Sequence, residues 1–369
     1  MSESERSRAA RLPAEILHAG ELAALAANDP WPRPPGWRLS PRTVRTFILG
    51  GRAGEVEIGR KLYGDDPLVD RAIVGLLGNR GLLLVGEPGT AKSMLSELLA
   101  AAISGTSTLT IQGTAGTSED QIKYSWNYAL LLAEGPTRRA LVPSPLYTGL
   151  REGMIVRFEE VTRCPPEVQD SLISILSEKI LHVPELEGED GVVLARQGFN
   201  VVATANLRDR GVHEMSSALK RRFNFETVRP IADKELELEL VMEQTQRLLA
   251  ESGAEARVER DVLDLLVTTF QELRQGRSAE GTVIERPSTV LSTAEAVSVA
   301  YSAALDAVYF GDGSLESAHL VRQLGGTVLK DNPDDAKKVR QYFDVVVKAR
   351  AAKSRLWKSY WEAVKHLRV

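Results

Sequence analysis

Gly86-Glu87-Pro88-Gly89-Thr90-Ala91-Lys92-Ser93 follows directly on the apolar run Leu82-Leu83-Leu84-Val85. A glycine-containing segment that leaves a buried strand and opens a helix is typical of a phosphate-binding loop. Its small residues let successive backbone N–H groups turn inward at the N-terminus of the helix. In this pattern Lys92 reaches the β- and γ-phosphates, and the Ser93 hydroxyl holds Mg²⁺. The alternative is a glycine turn that binds nothing.

One residue departs from the usual pattern, in which a second glycine precedes the lysine. Ala91 stands at that position. Because a Cβ atom resists the left-handed backbone conformation, the loop is expected to accommodate alanine only if φ stays negative. The sequence therefore predicts a negative φ at Ala91.

The region from about residue 55 to residue 230 alternates short apolar runs with helical periodicity, which predicts a parallel sheet covered by helices on both faces. Strands are predicted at 81–85, 107–111, 154–159, 199–205 and 223–228. The helix after the loop places one apolar stripe on its buried face, formed by Leu95, Leu98, Leu99 and Ala102. Residues 180–197 are predicted to form a hairpin.

The flanking regions differ from this core. The first 55 residues predict a helix at 13–27 and then a proline-rich arm at 30–37, which Trp31 and Trp37 are expected to dock on a surface. Strand signals are absent from about residue 231 onward. Amphipathic helices are predicted there at 233–252, 259–275, 289–308, 314–324, 333–350 and 353–367.

The expected organisation is therefore a P-loop α/β core with a parallel five-stranded sheet, followed by an all-helical lid and C-terminal domain. The predicted boundaries are 1–55 for the N-terminal helix and arm, 56–230 for the nucleotide-binding core, and 231–369 for the helical lid and basic C-terminal helices. A chain of 369 residues is too long for one compact core and suits about two domains.

The composition, with 43% apolar and 26% charged residues, is that of an ordinary soluble protein. The sequence has neither a membrane-spanning apolar run nor a signal peptide, so a cytoplasmic location without membrane contact is expected. The single Cys164 forbids an internal disulfide, and the five histidines are scattered without metal-ligand spacing. Catalytic zinc is not expected.

The C-terminal segment is basic although the whole chain carries a net charge of −4. From Lys337 onward, ten basic residues, including Arg368, stand against two acidic ones, which leaves +8 there and −12 elsewhere. Aromatic residues alternate with these charges, a pattern that also occurs in nucleic-acid binders. The favoured interpretation is that the aromatic side chains pack inward while the lysines face water or a neighbouring subunit.

Polar side chains follow the predicted strands at the edge where the loop also lies. Glu159 and Glu160 end the third strand, so the first carboxylate is expected to hold the Mg²⁺ shell and the second to deprotonate the attacking water. Asn206 ends the fourth strand and is placed to bind the γ-phosphate or that water, or to serve only as a turn residue. Arg221 and Arg222 precede the last strand, and either could cross a subunit boundary; the alternative is simple surface solvation.

Taken together, these motifs resemble those of AAA+ ATPases of the MoxR group, over about residues 59–305. The matching segments are the loop at 86–93, Phe158-Glu159-Glu160-Val161 with Pro165-Pro166-Glu167-Val168-Gln169, Ala203-Thr204-Ala205-Asn206, and Leu219-Lys220-Arg221-Arg222-Phe223. Residues 145–153 are similar to a segment of these proteins, and residues 180–197 resemble their pre-sensor-1 hairpin.

This resemblance implies roles for individual residues. It implies Walker A at Lys92 and Ser93, Walker B at Glu159 and Glu160, and sensor 1 at Asn206. It also implies an arginine finger at Arg222 or Arg221. In proteins of this group, alanine usually stands where other phosphate-binding loops have their second glycine, as Ala91 does here.

Two positions depart from the pattern of the MoxR group. Walker B normally begins with aspartate, and Glu159 is one methylene longer, which would displace the metal or slow hydrolysis. The group also carries a sensor-2 arginine in a Ser-Pro-Arg context, whereas Arg286-Pro287-Ser288 reverses that order. Arg286 is the candidate for this nucleotide-binding role, and its alternative is an exposed surface charge.

The function implied is that of an ATPase with ATP and Mg²⁺ as cofactors, held between the subunits of a ring, expected to be a hexamer. Turnover would remodel or mature a protein partner, in the manner of a chaperone, and relatives of this kind act with a partner bearing a von Willebrand factor A domain. One alternative is a nucleic-acid motor related to minichromosome-maintenance helicases. The basic tail favours it, whereas the overall acidity and the absence of a recognisable DNA-binding module oppose it. The other alternative is a nucleotide-dependent scaffold with little hydrolysis, suggested by Glu159.

Overall fold

A computed structural model describes residues 11–206, 211–326 and 332–367. Within these ranges the chain forms two compact units. The first contains the residues up to Glu87 together with Ala91–Val228, and the second contains Pro88–Thr90 together with the residues from Arg229 onward. The first unit holds the strands of the central sheet, and the second is helical.

The first unit is built from short strands alternating with helices. Its strands are β1 Gly51–Ala53, β2 Val56–Ile58, β3 Gly81–Val85, β4 Thr110–Gln112, β5 Tyr124–Trp126, β6 Leu141–Pro143, β7 Ile155–Glu159, β8 Ile180–His182, β9 Val192–Leu194, β10 Asn200–Ala205 and β11 Phe223–Thr227. Its helices are α1 Ala14–Leu17, α2 Ala19–Ala27, α3 Pro41–Leu49, α4 Asp66–Leu77, α5 Lys92–Ser104, α6 Glu119–Ile122, α7 Tyr128–Glu134, α8 Pro145–Glu152, α9 Pro166–Asp170, α10 Leu172–Glu178 and α11 Ser217–Lys220.

The central sheet has five parallel strands in the order β11-β3-β10-β7-β4. All five predicted strands are present, and the predicted α/β fold is confirmed. Every residue of β3, β7 and β10 is buried, as expected for strands covered on both faces. Because the strands are parallel, the carboxyl ends of these three lie at one edge of the sheet, and the functional side chains follow them there.

Alternate side chains of β3 enter two hydrophobic cores. Leu82 and Leu84 belong to one core, and Leu83 and Val85 belong to the other, because successive side chains of a strand point to opposite faces. The predicted stripe of α5 is buried in the first of these cores, through Leu95, Leu98, Leu99 and Ala102. This packing fixes α5, and with it Lys92 and Ser93 at the start of α5, against the sheet.

The N-terminal arm lies on the first unit of its own chain. The helix predicted at 13–27 forms as α1 and α2, and the proline-rich residues after it form neither helix nor strand. Trp37 is buried, whereas Trp31 remains 46% exposed. The Arg38 N–H donates to the carbonyl of Ile103 at 2.8 Å, which ties the arm to the end of α5.

Several elements of the first unit were not predicted, among them the twelve-residue helix α4. They include α3, the antiparallel pair β1–β2, and a region that we name the first insertion, residues 119–143, with α6, β5, α7 and β6. Three-residue strands and four-residue helices are too short to show a period. The hairpin predicted at 180–197, which we name the second insertion, is present as antiparallel β8 and β9.

The second unit is helical, as predicted. Its helices are α12 Lys234–Ser252, α13 Arg260–Gln275, α14 Thr293–Phe310, α15 Ser317–Leu324, α16 Pro333–Tyr342, α17 Lys348–Ala351 and α18 Arg355–Glu362. The helix predicted at 333–350 is divided by a π-helical segment, Phe343–Val347. None of the helices in the described ranges is both long enough and apolar enough to cross a membrane.

The aromatic residues near the C-terminus pack into the helical core. Tyr342, Phe343 and Tyr360 are almost completely buried. The Arg350 guanidinium lies 4.7 Å from the ring centroid of Trp357 and forms a 2.5 Å ion pair with Glu272. This is the packing that the sequence analysis favoured over an aromatic nucleic-acid surface; Arg368, one of the ten basic residues, lies outside the described ranges.

Candidate nucleotide-binding site

The predicted phosphate-binding loop connects β3 to α5, and Ala91 adopts φ 66° and ψ 21°, in the left-handed region. The expectation that φ of Ala91 stays negative is therefore wrong. The chain must turn sharply here so that the Ala91 carbonyl can accept the first helical bond, from Leu95 N–H at 2.9 Å. Alanine has the smallest side chain after glycine, and its methyl group packs against the core of the first unit. The left-handed conformation costs about 1 kcal/mol at such a residue.

Ala91→Gly is expected to raise the free energy of unfolding by about 0.5 kcal/mol, because the relieved strain outweighs the greater freedom of glycine in the unfolded chain. Ala91→Val is the matched control and should lose at least about 2 kcal/mol, since a β-branched residue is strongly disfavoured at positive φ. Urea unfolding followed by circular dichroism measures both variants. A less stable glycine variant would mean that methyl packing dominates this position.

Lys92 is buried and turned back over the loop. Its Nζ donates to the carbonyl oxygens of Gly86 at 2.9 Å and Glu87 at 2.8 Å. Burial lowers the pKa of Lys92, and the nearby carboxylates Glu160, Glu159 and Glu87 oppose that shift. The ammonium is therefore held on the concave side of the loop with one N–H left over from these two bonds, which suits it to a phosphate oxygen.

Glu159 ends β7 and lies inside a cage of hydroxyl groups. Ser93 Oγ and Thr204 Oγ1 donate to its Oε2 at 2.7 and 2.8 Å, and Ser96 Oγ donates to its Oε1 at 2.6 Å. Burial alone would raise the pKa of Glu159, but the hydrogen bonds from Ser96 and Ser93, the Arg157 charge and the Thr204 hydroxyl lower it. Glu159 is thus a carboxylate in direct contact with the loop serine.

Glu160, the next residue, also has a left-handed backbone, with φ 55°. Its N–H donates to Thr204 Oγ1 at 2.9 Å. Its Oε2 is buried, accepts no hydrogen bond from the described residues, and lies 3.6 Å from Nε of Arg163. A carboxylate oxygen with no hydrogen-bond donor is suited to accept a proton from a water molecule.

Asn206 is buried directly after the last residue of β10. Ala205 is in register with Val85 of β3, and Ala203 is in register with Phe158 of β7. Asn206 therefore follows the central strand at the same edge as the loop and the two glutamates. Leu207 to Arg210 lie outside the described residues.

Arg221 and Arg222 lie at the other edge of the sheet. Phe223, the first residue of β11, is in register with Gly81, the first residue of β3. At about 3.3 Å per residue, β3 alone separates its two ends by roughly 13 Å. Arg221 is exposed, and Arg222 Nε donates to Ser177 Oγ at 2.7 Å. Within one chain the structure does not bring either arginine to the loop.

Arg286 lies in the second unit and is exposed. Its Nη2 donates to the carbonyl of Gln275 at 2.6 Å. Two residues of the same segment, Ser288 and Thr289, are held by α16, because both donate hydrogen bonds to the buried Asp335 carboxylate. The assignment of Arg286 as a nucleotide-binding residue stays a prediction.

Comparisons with known proteins show the family of the chain. The profile of the AAA domain (dynein-related subfamily) matches residues 81–223, and the profile of the YehL-like AAA+ ATPase C-terminal domain matches residues 235–368. The YehL protein of Escherichia coli is 52% identical over 353 residues, which are 96% of this chain and 96% of YehL. The chain belongs to the YehL-like AAA+ ATPase family.

The predicted resemblance to the MoxR group is also confirmed. Chaperone MoxR1 of Mycobacterium tuberculosis is 30% identical over 170 residues, 46% of this chain and 41% of MoxR1. The fold of this YehL-like chain is similar to that of NtrX from Brucella abortus in complex with ADP. That match has a TM-score of 0.50 and 14% identity, and it covers 84% of this chain and 65% of NtrX. At that identity the likeness shows the fold alone.

Sequence reasoning missed three residues of this YehL-like site: Ser96, Arg157 and Thr204. Ser96 lies one helical turn after Ser93, and Thr204 lies two residues before Asn206. Arg157 carried the clearest signal, since a charged residue inside a buried strand requires a partner. The sequence did not indicate that this partner is Glu159.

Proposed function

We propose that this YehL-like chain binds and hydrolyses ATP with Mg²⁺ in a ring, where each site is completed by an arginine of the neighbouring copy, and that turnover remodels a protein partner. The observation that carries the proposal is the separation of the two halves of the site within one chain. The loop, Glu159, Glu160 and Asn206 follow strands at one edge of the sheet, whereas Arg221 and Arg222 precede β11 at the other. A second copy supplies the missing cation.

The residues present fit a magnesium ion and a nucleotide. Ser93 Oγ and Glu159 Oε2 lie 2.7 Å apart, and hydroxyl and carboxylate oxygens are the ligands that Mg²⁺ takes in nucleotide sites. When bound, the ion would neutralise negative charge on the phosphates. The loop N–H groups and Lys92 would bind the phosphates, Asn206 would orient the water, and Glu160 would accept its proton.

The two insertions provide a candidate surface for the protein partner. Tyr128 and Leu132 of the first insertion are 71% and 89% exposed, and Leu194 of the second insertion is also exposed. Two polar contacts join the insertions, Tyr124 Oη to Glu185 Oε2 at 2.8 Å and Arg138 Nη2 to Asp190 Oδ1 at 2.5 Å. Exposed apolar side chains on a joined surface favour contact with apolar segments of a polypeptide.

The wider partner proposals rest on the likeness to the MoxR group. We propose that one of the partners is a protein bearing a von Willebrand factor A domain. We also propose that the ring is a hexamer. A protein rather than a nucleic acid is proposed as the partner because Tyr342, Phe343 and Tyr360, which could otherwise stack on bases, are buried in the helical core.

The experiment measures phosphate release and molar mass, by light scattering, with and without ATP and Mg²⁺. The wild type should turn over ATP and form a ring that depends on ATP. Lys92→Ala should release phosphate at least about 100-fold more slowly, since it removes a cation that stabilises phosphate charge. Reduced casein, an unfolded polypeptide, should stimulate the wild type, and Leu132→Ser should weaken that stimulation.

Three outcomes would contradict parts of the proposal. A monomer under every condition excludes the ring. Assembly that depends on ATP without turnover indicates a scaffold. Stimulation by DNA that disappears at high salt, with none by casein, indicates a nucleic-acid motor.

A further inference from the structure

Arg157 is a cation in the middle of the buried strand β7, 9% exposed, with all three guanidinium nitrogens engaged. Nε donates to Ser96 Oγ at 3.0 Å, and Nη1 donates to the carbonyl of Ser107 at 3.1 Å. Nη2 donates to the carbonyl of Ser93 at 3.1 Å and to Glu159 Oε1 at 2.8 Å. The guanidinium therefore lies between β7 and the first turn of α5, directly behind Ser93.

This arrangement gives the two oxygens of Glu159 different surroundings. Oε1 is taken by Arg157 and Ser96, on the side away from the loop hydroxyl. Oε2 accepts from Ser93, whose hydroxyl is the expected metal ligand, and from Thr204. The extra methylene of glutamate lets one carboxylate reach both Arg157 and Ser93.

Without Arg157, negative charges outnumber positive charges around the loop. Glu87, Glu159 and Glu160 all act on Lys92, the one cation of the loop itself. A polyanionic phosphate that enters this region meets three carboxylates. A second buried cation in contact with Glu159 reduces that repulsion, because charges interact strongly where water is excluded.

We propose that Arg157 is a positioning residue for magnesium-bound nucleotide: it anchors Oε1 of Glu159 so that Oε2 faces Ser93, and it offsets the charge of that carboxylate toward the phosphates. The inference rests on the proposed function. It treats Arg157 and Glu159 as one functional pair that replaces the shorter aspartate of the usual Walker B motif. A purely structural ion pair would stabilise the fold without affecting how metal and nucleotide depend on each other.

The test measures the affinity of a fluorescent ATP analogue in excess Mg²⁺ and in excess EDTA. The quantity compared is the affinity with Mg²⁺ divided by the affinity without it. Arg157→Gln places a neutral polar group in the strand and removes the charge, so binding without metal should weaken and the ratio should rise at least about fivefold. Glu159→Gln should lower the ratio, because the repulsion that the metal relieves is smaller. The double variant should have a higher ratio than Glu159→Gln alone, because loss of the arginine charge raises the ratio in either background.

Arg157→Lys is the matched control, since it keeps the charge but loses the planar guanidinium; its ratio should lie closer to wild type than the ratio of Arg157→Gln. Thermal unfolding without nucleotide separates stability from binding. If Arg157→Gln fails to fold, the double variant, which leaves no buried charge unpaired, is compared with Glu159→Gln, and loss of the arginine must again raise the ratio.

The inference is overturned if Arg157→Gln is destabilised but its ratio matches wild type, because the arginine then only stabilises the fold. A wild type that binds the analogue in neither condition overturns the proposed function and this inference with it. A wild type that binds, beside an Arg157→Gln variant of unchanged ratio, overturns this inference alone.

Discussion

Glu160→Gln is expected to lower ATP turnover at least about 100-fold while ATP affinity stays within about threefold of wild type. The reason is the buried Oε2 of Glu160, which accepts no hydrogen bond from the described residues and is suited to take a proton from water. An amide of the same shape cannot take that proton. Lys92 and Ser93, which would bind the phosphates, are unchanged, so the variant should hold ATP without consuming it.

Phosphate release at saturating ATP and Mg²⁺, with binding of a fluorescent ATP analogue, measures the two halves of this prediction. Light scattering adds a third readout, because a form that keeps ATP should keep the assembled ring. Glu167→Gln is the matched control, an exposed glutamate in the first turn of α9. Turnover within about tenfold of wild type would remove Glu160 from the role of general base.

Arg222→Ala is expected to lower turnover by about 10³-fold, the scale at which an arginine supplied to a neighbouring phosphate acts. The structure supports an effect in trans, since Arg222 precedes β11 at the edge of the sheet remote from its own loop. Arg222 contacts Ser177, whereas Arg221 is exposed, so the two arginines differ in their surroundings. Arg221→Ala, measured in parallel, determines which of the two acts.

Mixing two inactive variants separates an effect in trans from one within a chain. Lys92→Ala lacks the loop cation and Arg222→Ala lacks the proposed finger, yet a mixed ring contains interfaces where each partner supplies what the other lacks. Random equal mixing should restore about a quarter of wild-type turnover, because one interface in four combines both intact groups. No recovery in a ring shown to mix would contradict the shared site.

The sequence was sufficient to predict the sheet and the edge where the site lies. Apolar runs such as Leu82 to Val85 are strand-length and lead into a loop of small residues, so their order along the chain predicts a parallel sheet. Glu159, Glu160 and Asn206 follow from the same reasoning, because the carboxyl ends of parallel strands meet. Each of these features depends on residues that are close in sequence, so short sequence patterns are enough to predict them.

The parts that were missed depend on contacts between distant residues. Nothing in the spacing of Arg157 and Ser96 shows that α5 packs against β7 closely enough for 3.0 Å contact. The first insertion consists of elements of three to seven residues, too short for a period to emerge. The error at Ala91 came from applying the steric rule alone, when a strain of about 1 kcal/mol is small beside the packing that holds α5.

The hydroxyl of Thr204 accepts from the Glu160 N–H and donates to Glu159 Oε2. Its one proton is donated to the Glu159 carboxylate, and one of its two lone pairs accepts from the Glu160 backbone. A rotation of this side chain breaks both bonds together, and so does a slide of β10 along β7. The two acidic residues are therefore coupled to the strand that carries Asn206 through a single hydroxyl, and a displacement of that strand would alter the contacts of both at once.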